Sequence, residues 1–232
     1  MVHFFSGEIS SVPMELDLRV QSFTLILTGI LATSLLLVIF ARIRNSKAIP
    51  TVLAAFLKNI SLDQHFKANM RLESLSSILL ILNYFVCFSV CLFLFFSRIL
   101  FLDSEWAILL SFLLPIGLFV LDTLSIILVG AISGEFKKLQ SSIVITLSLN
   151  QFFGLFLSLV SLLWIMNPEF NEVYLVVFGL LLVLNYLMRV LKNTVAILTN
   201  GVPWYYLILY FCTLEILPLY SAYYFLAMNF AR

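Results

Sequence analysis

The sequence predicts an all-α fold: a polytopic transmembrane helix bundle of six spans, with five spans as the alternative count, and an interfacial helix between spans one and two. Three observations predict it. The 232-residue chain is 62% hydrophobic and only 11% charged, with a mean hydropathy of +1.11, outside the balance of a water-soluble domain of this length. Its apolar runs repeatedly exceed the ~20 residues a helix needs to cross ~30 Å of hydrocarbon. The alternating strands of a transmembrane barrel are absent.

Taken in order, a tail over residues 1–20 precedes a single transmembrane domain over 21–230. The tail carries Glu8, Glu15 and Asp17 without a basic start, and the first apolar run ends in Arg42, Arg44 and Lys47. That is a stop-transfer pattern, so span one, 21–41, reads as retained rather than cleaved. In the connecting segment 42–74, Pro50 opens a helix with Val52, Leu53, Phe56, Leu57 and Ile60 on one side. Lys58, Lys67 and Arg71 follow, so the segment reads as a helix lying on anionic lipid or, more sharply, as a docking surface for a partner.

Spans two, three and four cover 75–97, 106–133 and 141–166. Pro115 is expected to kink span three. Span five, 172–191, is the weakest, because its most apolar part, VYLVVFGLLLVLNYLM, is short. Span six, 203–230, holds CTLEILPL, in which Glu215 and Pro218 interrupt an otherwise apolar run. Pro218 leaves the Leu214 carbonyl without its helical donor, so a kink and a free backbone oxygen are expected beside a carboxyl group.

Orientation follows from the basic residues of the short connections. Arg42, Arg44, Lys47, Lys58, Lys67 and Arg71 fall in the first loop on one side, with Lys137, Lys138, Arg189 and Lys192 in the other two. The opposite side keeps Arg19, Arg98 and Arg232 against seven acids. Both termini are therefore expected outside the cytoplasm. Trp106, Trp164 and Tyr174 are expected at the outer interface, and Trp204, Tyr205 and Tyr206 at the inner one.

Polar groups inside hydrocarbon cost ~2.5–3.5 kcal/mol each for an acid on insertion scales, so they pack inward or carry function. Asp122, Glu215, Asn83, Asn150, Gln151 and Asn185 all fall at the midplane or in the cytoplasmic half, which points to a polar core between helices. Ser142, Thr146, Asn150, Gly154 and Ser158 recur every fourth residue, as do Asn83, Cys87 and Cys91. Such ridges of small and polar residues let a neighbouring backbone approach closely.

His3 and His65 both lie outside the predicted spans, which excludes a histidine metal cluster; no metal site and no cofactor are expected. The net charge of +1 gives no basic field for nucleic acid. Phosphate-cradling glycine loops and GxSxG elbows are absent. An enzyme acting on polyprenyl or phospholipid substrates would need Arg189 and Lys192 together as phosphate contacts.

Three stretches resemble a known family: AFLKNISLDQHF, GEFKKLQSSIVITLSLNQFFGLFLSLVSLL around Asn150 and Gly154, and LYFCTLEILPL, the most specific of them. Over roughly residues 45–230 the chain is similar to the multi-spanning membrane proteins of Bacteroidota called domain of unknown function 4271. In that family the corresponding glutamate and proline belong to the closing motif, which carries over to Glu215 and Pro218. The resemblance implies a multi-pass protein of a Bacteroidota inner membrane.

The expectation is thus a non-catalytic inner-membrane subunit or assembly factor of envelope machinery, in protein export or surface-protein biogenesis, partnered by the bilayer and by another membrane protein. The competing expectation is a small proton- or cation-coupled carrier using Glu215 and Asp122.

Overall fold

In hydrocarbon every backbone amide and carbonyl must be paired within its own segment, which leaves apolar runs of this length little alternative to helix. The computed structural model describes residues 14–57, 75–98, 104–133 and 136–199, and among them there is helix and no strand. The helices are α1 (Met14–Arg44), α2 (Ala48–Leu57), α3 (Leu75–Arg98), α4 (Ser104–Ser133), α5 (Phe136–Met166) and α6 (Asn171–Thr199), with a 3₁₀ turn at Pro168–Phe170. Five of them, all but α2, are long and apolar enough to cross a membrane. The sixth predicted span, with Glu215, Pro218, Trp204, Tyr205 and Tyr206, lies outside the described residues.

The centre of the bundle is the pair α3 and α5. α1, α4 and α6 pack around this pair, and α2 lies against α5. Both predicted ridges point inward: Asn83, Cys87 and Cys91 on α3 are fully buried, and Ser142, Thr146, Asn150 and Ser158 on α5 are buried with Gly154. The reason is visible at Gly154. A Cβ built there would stand 2.8 Å from the Cβ and 2.9 Å from the Cα of Tyr84, so the two backbones meet at a distance that only glycine permits.

Span five differs from its expected extent. Its helix runs eight residues beyond position 191, to Thr199, because the polar residues that weaken the apolar signal find partners. Asn193 is buried and its Nδ2 donates to Thr146 Oγ1 at 3.2 Å, while Lys192 Nζ donates to the Phe56 carbonyl at 2.7 Å. Arg189 and Lys192 are consequently interior positions of a helix and not residues of a loop. α4 runs as one helix through Pro115, which is buried and withholds a donor from the Ser111 carbonyl.

Short connections set the neighbours. Asn45 ends α1 by donating its amide to the Ala41 carbonyl at 3.1 Å, and its side-chain oxygen accepts from the Lys47 amide at 3.1 Å. α2 starts directly after this turn, with Pro50 in its first turn, where a missing amide is harmless. α2 does not lie free on lipid. Ala48 and Val52 are buried, Leu53 faces away, and the Phe56 ring stacks on Phe152 with centroids 4.0 Å apart and planes inclined by 9°. Lys192 then meets the C-terminal end of α2, where a cation complements the unpaired carbonyls. Lys58, Lys67 and Arg71 lie outside the described residues.

Between α5 and α6, Asn167 and Pro168 stop the helix. Trp164 clamps this corner: it is 0% exposed, donates from Nε1 to Asn171 Oδ1 at 2.8 Å, and stacks on Tyr174. It is therefore an internal brace at this end of α5. Trp106, 60% exposed, keeps an outward position.

Replacing Gly154 by Ala forces the Tyr84 backbone away and is expected to cost ~1–3 kcal/mol, lowering the melting temperature of the detergent-purified protein. Gly179→Ala, where an added Cβ meets nothing within 4 Å, is expected to leave it unchanged or slightly raised. Equal melting temperatures for the two variants would contradict the close crossing.

Candidate functional site: an ion pair joining two outer helices

Helical periodicity places Asn185, Arg189 and Asn193 in one row along α6, since residues four apart share a face. On α4, Asp122 stands well inside the apolar length. The structure joins the two helices through these rows: the Arg189 guanidinium donates from Nη1 to Asp122 Oδ2. Both side chains are mostly covered, at 18% and 15% exposure. α4 and α6 make little other direct contact, so the ion pair crosses a groove between them.

The floor of that groove comes from α3. Tyr84 lies within electrostatic range of both Arg189 and Asp122, and the Asn185 side chain hydrogen-bonds it. Beside it, Phe85 meets Phe119 of α4 edge-on with centroids 5.2 Å apart. The Arg189 guanidinium also stands 5.9 Å from the centre of the Tyr186 ring. The residue that touches Gly154 on the inner side of α3 thus belongs to the charged cluster as well. Asn185 Oδ1 is buried without a partner among the described residues.

This arrangement has an electrostatic logic. Either charge alone at this depth would be expensive, whereas the pair is neutral as a unit and the planar guanidinium suits a carboxylate. The neighbouring phenol and amide add polar contacts that hydrocarbon cannot.

The other predicted polar residues are used elsewhere. Asn83 Oδ1 accepts from Ser34 Oγ of α1 at 2.5 Å, and Ser34 Oγ lies 3.0 Å from Cys87 Sγ. Gln151 Nε2 donates to Ser77 at Oγ (2.6 Å) and at the carbonyl (3.2 Å). Asn150 is buried in α5. Among the described residues these groups make distinct contacts: α1 to α3 through Asn83, α3 to α5 through Gln151, and the cluster of Asp122, Arg189, Asn185 and Tyr84.

Arg189 and Lys192 engage different partners, a carboxylate on α4 and the end of α2. Sequence reading missed Tyr84 and the inward role of Arg189. The available signal was the row of Asn185, Arg189 and Asn193, hidden when the fifth span is ended at 191.

Asp122→Asn leaves the Arg189 cation partly buried without its counter-charge, and a loss of up to about 3 kcal/mol is expected. Changing both to Leu removes both charges and is expected to recover most of it. Thermal unfolding of these variants and of the Asp122→Leu and Arg189→Leu singles in one detergent measures this; a double variant as unstable as the sum of the two Leu singles would show that the pair is not the coupled unit described.

No curated protein and no solved structure gives a significant match to this chain. A family model does: the one described as domain of unknown function (DUF4271) covers residues 27–226, a stretch that holds all the helical contacts above, and the chain belongs to that family.

Proposed function

We propose that the protein is a non-catalytic multi-pass subunit or assembly factor of the envelope, seated in the inner membrane of a Bacteroidota cell with both termini periplasmic. One observation carries the reading. Asn83, Gln151, Asn193 and the pair Asp122 and Arg189 each join one helix to another, while the outer helices keep long apolar faces. On α6, Val173, Val176, Leu180, Val183, Leu187 and Leu191 all face outward, a stripe suited to lipid or to another membrane helix. Protein export or surface-protein biogenesis is the setting that fits an inner-membrane helper in such a cell. The basic residues near α2 support the orientation.

A second reading, a proton- or cation-coupled carrier, draws support from Asp122, a carboxylate in a groove with the unpartnered Asn185 Oδ1 beside it. Intramembrane acids of this kind serve proton and ion relays in transporters.

Affinity isolation in mild detergent is expected to recover stoichiometric membrane partners, and Leu180→Trp on the outward stripe is expected to release them without lowering the melting temperature. Purified protein reconstituted in liposomes is expected not to dissipate an imposed proton gradient. A chain that purifies alone under several mild conditions, and whose proton flux disappears in Asp122→Asn, would favour the carrier.

A further inference from the structure

Among the described α-helices α2 is the shortest, and at ten residues it is too short to persist alone in water, so its place depends on what it touches. The turn at Asn45 and Lys47 ties its start to α1. Its other end is held at one residue. The Phe56 carbonyl accepts from Lys192 Nζ at 2.7 Å, and the same ammonium stands 5.6 Å from the centre of the Phe56 ring. That ring stacks on Phe152, meets Phe153 edge-on with centroids 6.1 Å apart, and packs with Met188 of α6 against Ile145 and Leu149 of α5. Phe56 therefore fills the angle where α5 and α6 meet.

The seam behind it is polar. Thr146 follows Ile145, and Asn193 follows Lys192, and their hydrogen bond joins α5 to α6 at the level of Phe56. One turn from Thr146 along α5, Ser142 is 1% exposed and its hydroxyl has no partner among the described residues. The Thr194 hydroxyl, beside Asn193 on α6, is buried in the same condition. Farther along α5 the pattern changes: Ser158 and Ser161 donate to carbonyls of their own helix, at 2.7 and 3.1 Å. A buried hydroxyl without a partner is disfavoured, and water satisfies it. Two opposing terms thus meet at one place, the aromatic packing of Phe56, which keeps the seam dry, and the hydroxyls of Ser142 and Thr194, which favour wetting it.

We propose that α2 is a movable cover on the α5–α6 seam, with Phe56 as its plug and Lys192 as its catch, and that its displacement admits water as far as Asn193. The hinge is the turn at Asn45 and Lys47, where α1 ends. The closed arrangement is the one described above; the open one trades the Phe56 packing for hydrated hydroxyls. Asn193 stands four residues from Arg189 on α6, about one turn or ~6 Å along the axis, so a wetted seam reaches nearly to the level of the ion pair with Asp122. The inference rests on neither functional reading, since it concerns which interior groups of this chain meet water.

Thiol reactivity in nanodiscs, where both membrane faces meet solvent, tests it. Thr194→Cys is expected to react slowly with a charged, water-soluble maleimide, the modified residue being assigned by peptide mass so that the native cysteines stay in place. Adding Phe56→Ala, or Lys192→Met with the ring kept, is expected to raise that rate several-fold. Ser158→Cys, buried in the far half of α5, is expected to keep its own rate in both backgrounds. Phe56→Leu, which loses the stacking and keeps most of the bulk, serves where the alanine variant does not fold. No reaction at Thr194→Cys in the otherwise unchanged chain would make α2 a fixed wall. An unchanged rate in both variants would detach Phe56 from the seam, and acceleration at Ser158→Cys as well would mean general loosening of the bundle; each of the three overturns the proposal.

Discussion

The closest constraint in the molecule is the backbone approach of α3 and α5 at Tyr84 and Gly154. Lipid tails are as apolar as the side chains they would replace, so helices in a bilayer gain little by hiding leucine from them. Stability has to come from contacts lipid cannot make: close backbone packing and hydrogen bonds between helices. A glycine whose Cβ would collide with Tyr84 at 2.8 Å supplies the first kind. Asn83 with Ser34, and Gln151 with Ser77, supply the second on either side of it.

Tyr84 carries that constraint outward. Its backbone meets Gly154 on one side of α3, and its side chain meets Asn185 in the floor of the groove that the ion pair crosses. A shift in the α3–α5 crossing would therefore move the phenol under Asp122 and Arg189. The peripheral helices are coupled to the centre through named side chains, α1 through Ser34, α4 through Phe119, α6 through Asn193 and α2 through Phe56, and to one another through Asp122 with Arg189 and through Lys192 with the Phe56 carbonyl. Their outer sides carry long apolar faces, the division expected of a body that sits in lipid.

Much of this was legible in the sequence. Span positions, helical class and both small-residue ridges follow from composition and a spacing of four, because a helix places such residues on one face whatever surrounds it. Hydropathy falls short where a polar residue near the end of a span belongs to the helix. Arg189 and Lys192 read as loop cations in a hydropathy profile, since it averages a window and cannot register a partner from a distant helix. Asn83 and Gln151 are buried, and their depth along the spans is shared with Asp122. Equal depth says nothing about which way around its helix a side chain points.

Composition and periodicity alone imply a bundle of helices long and apolar enough to span a membrane, and they mark which faces of α3 and α5 turn inward. Those properties are local, set by runs of apolar residues and by the period of one helix. The meeting of Asp122 with Arg189, and the hold of Phe152 and Lys192 on α2, appear only in the folded bundle. So does the link that Tyr84 makes between the tight crossing and the charged groove. Each of these joins residues far apart in the chain, and their meeting depends on the rotation and crossing of whole helices, which no local pattern encodes.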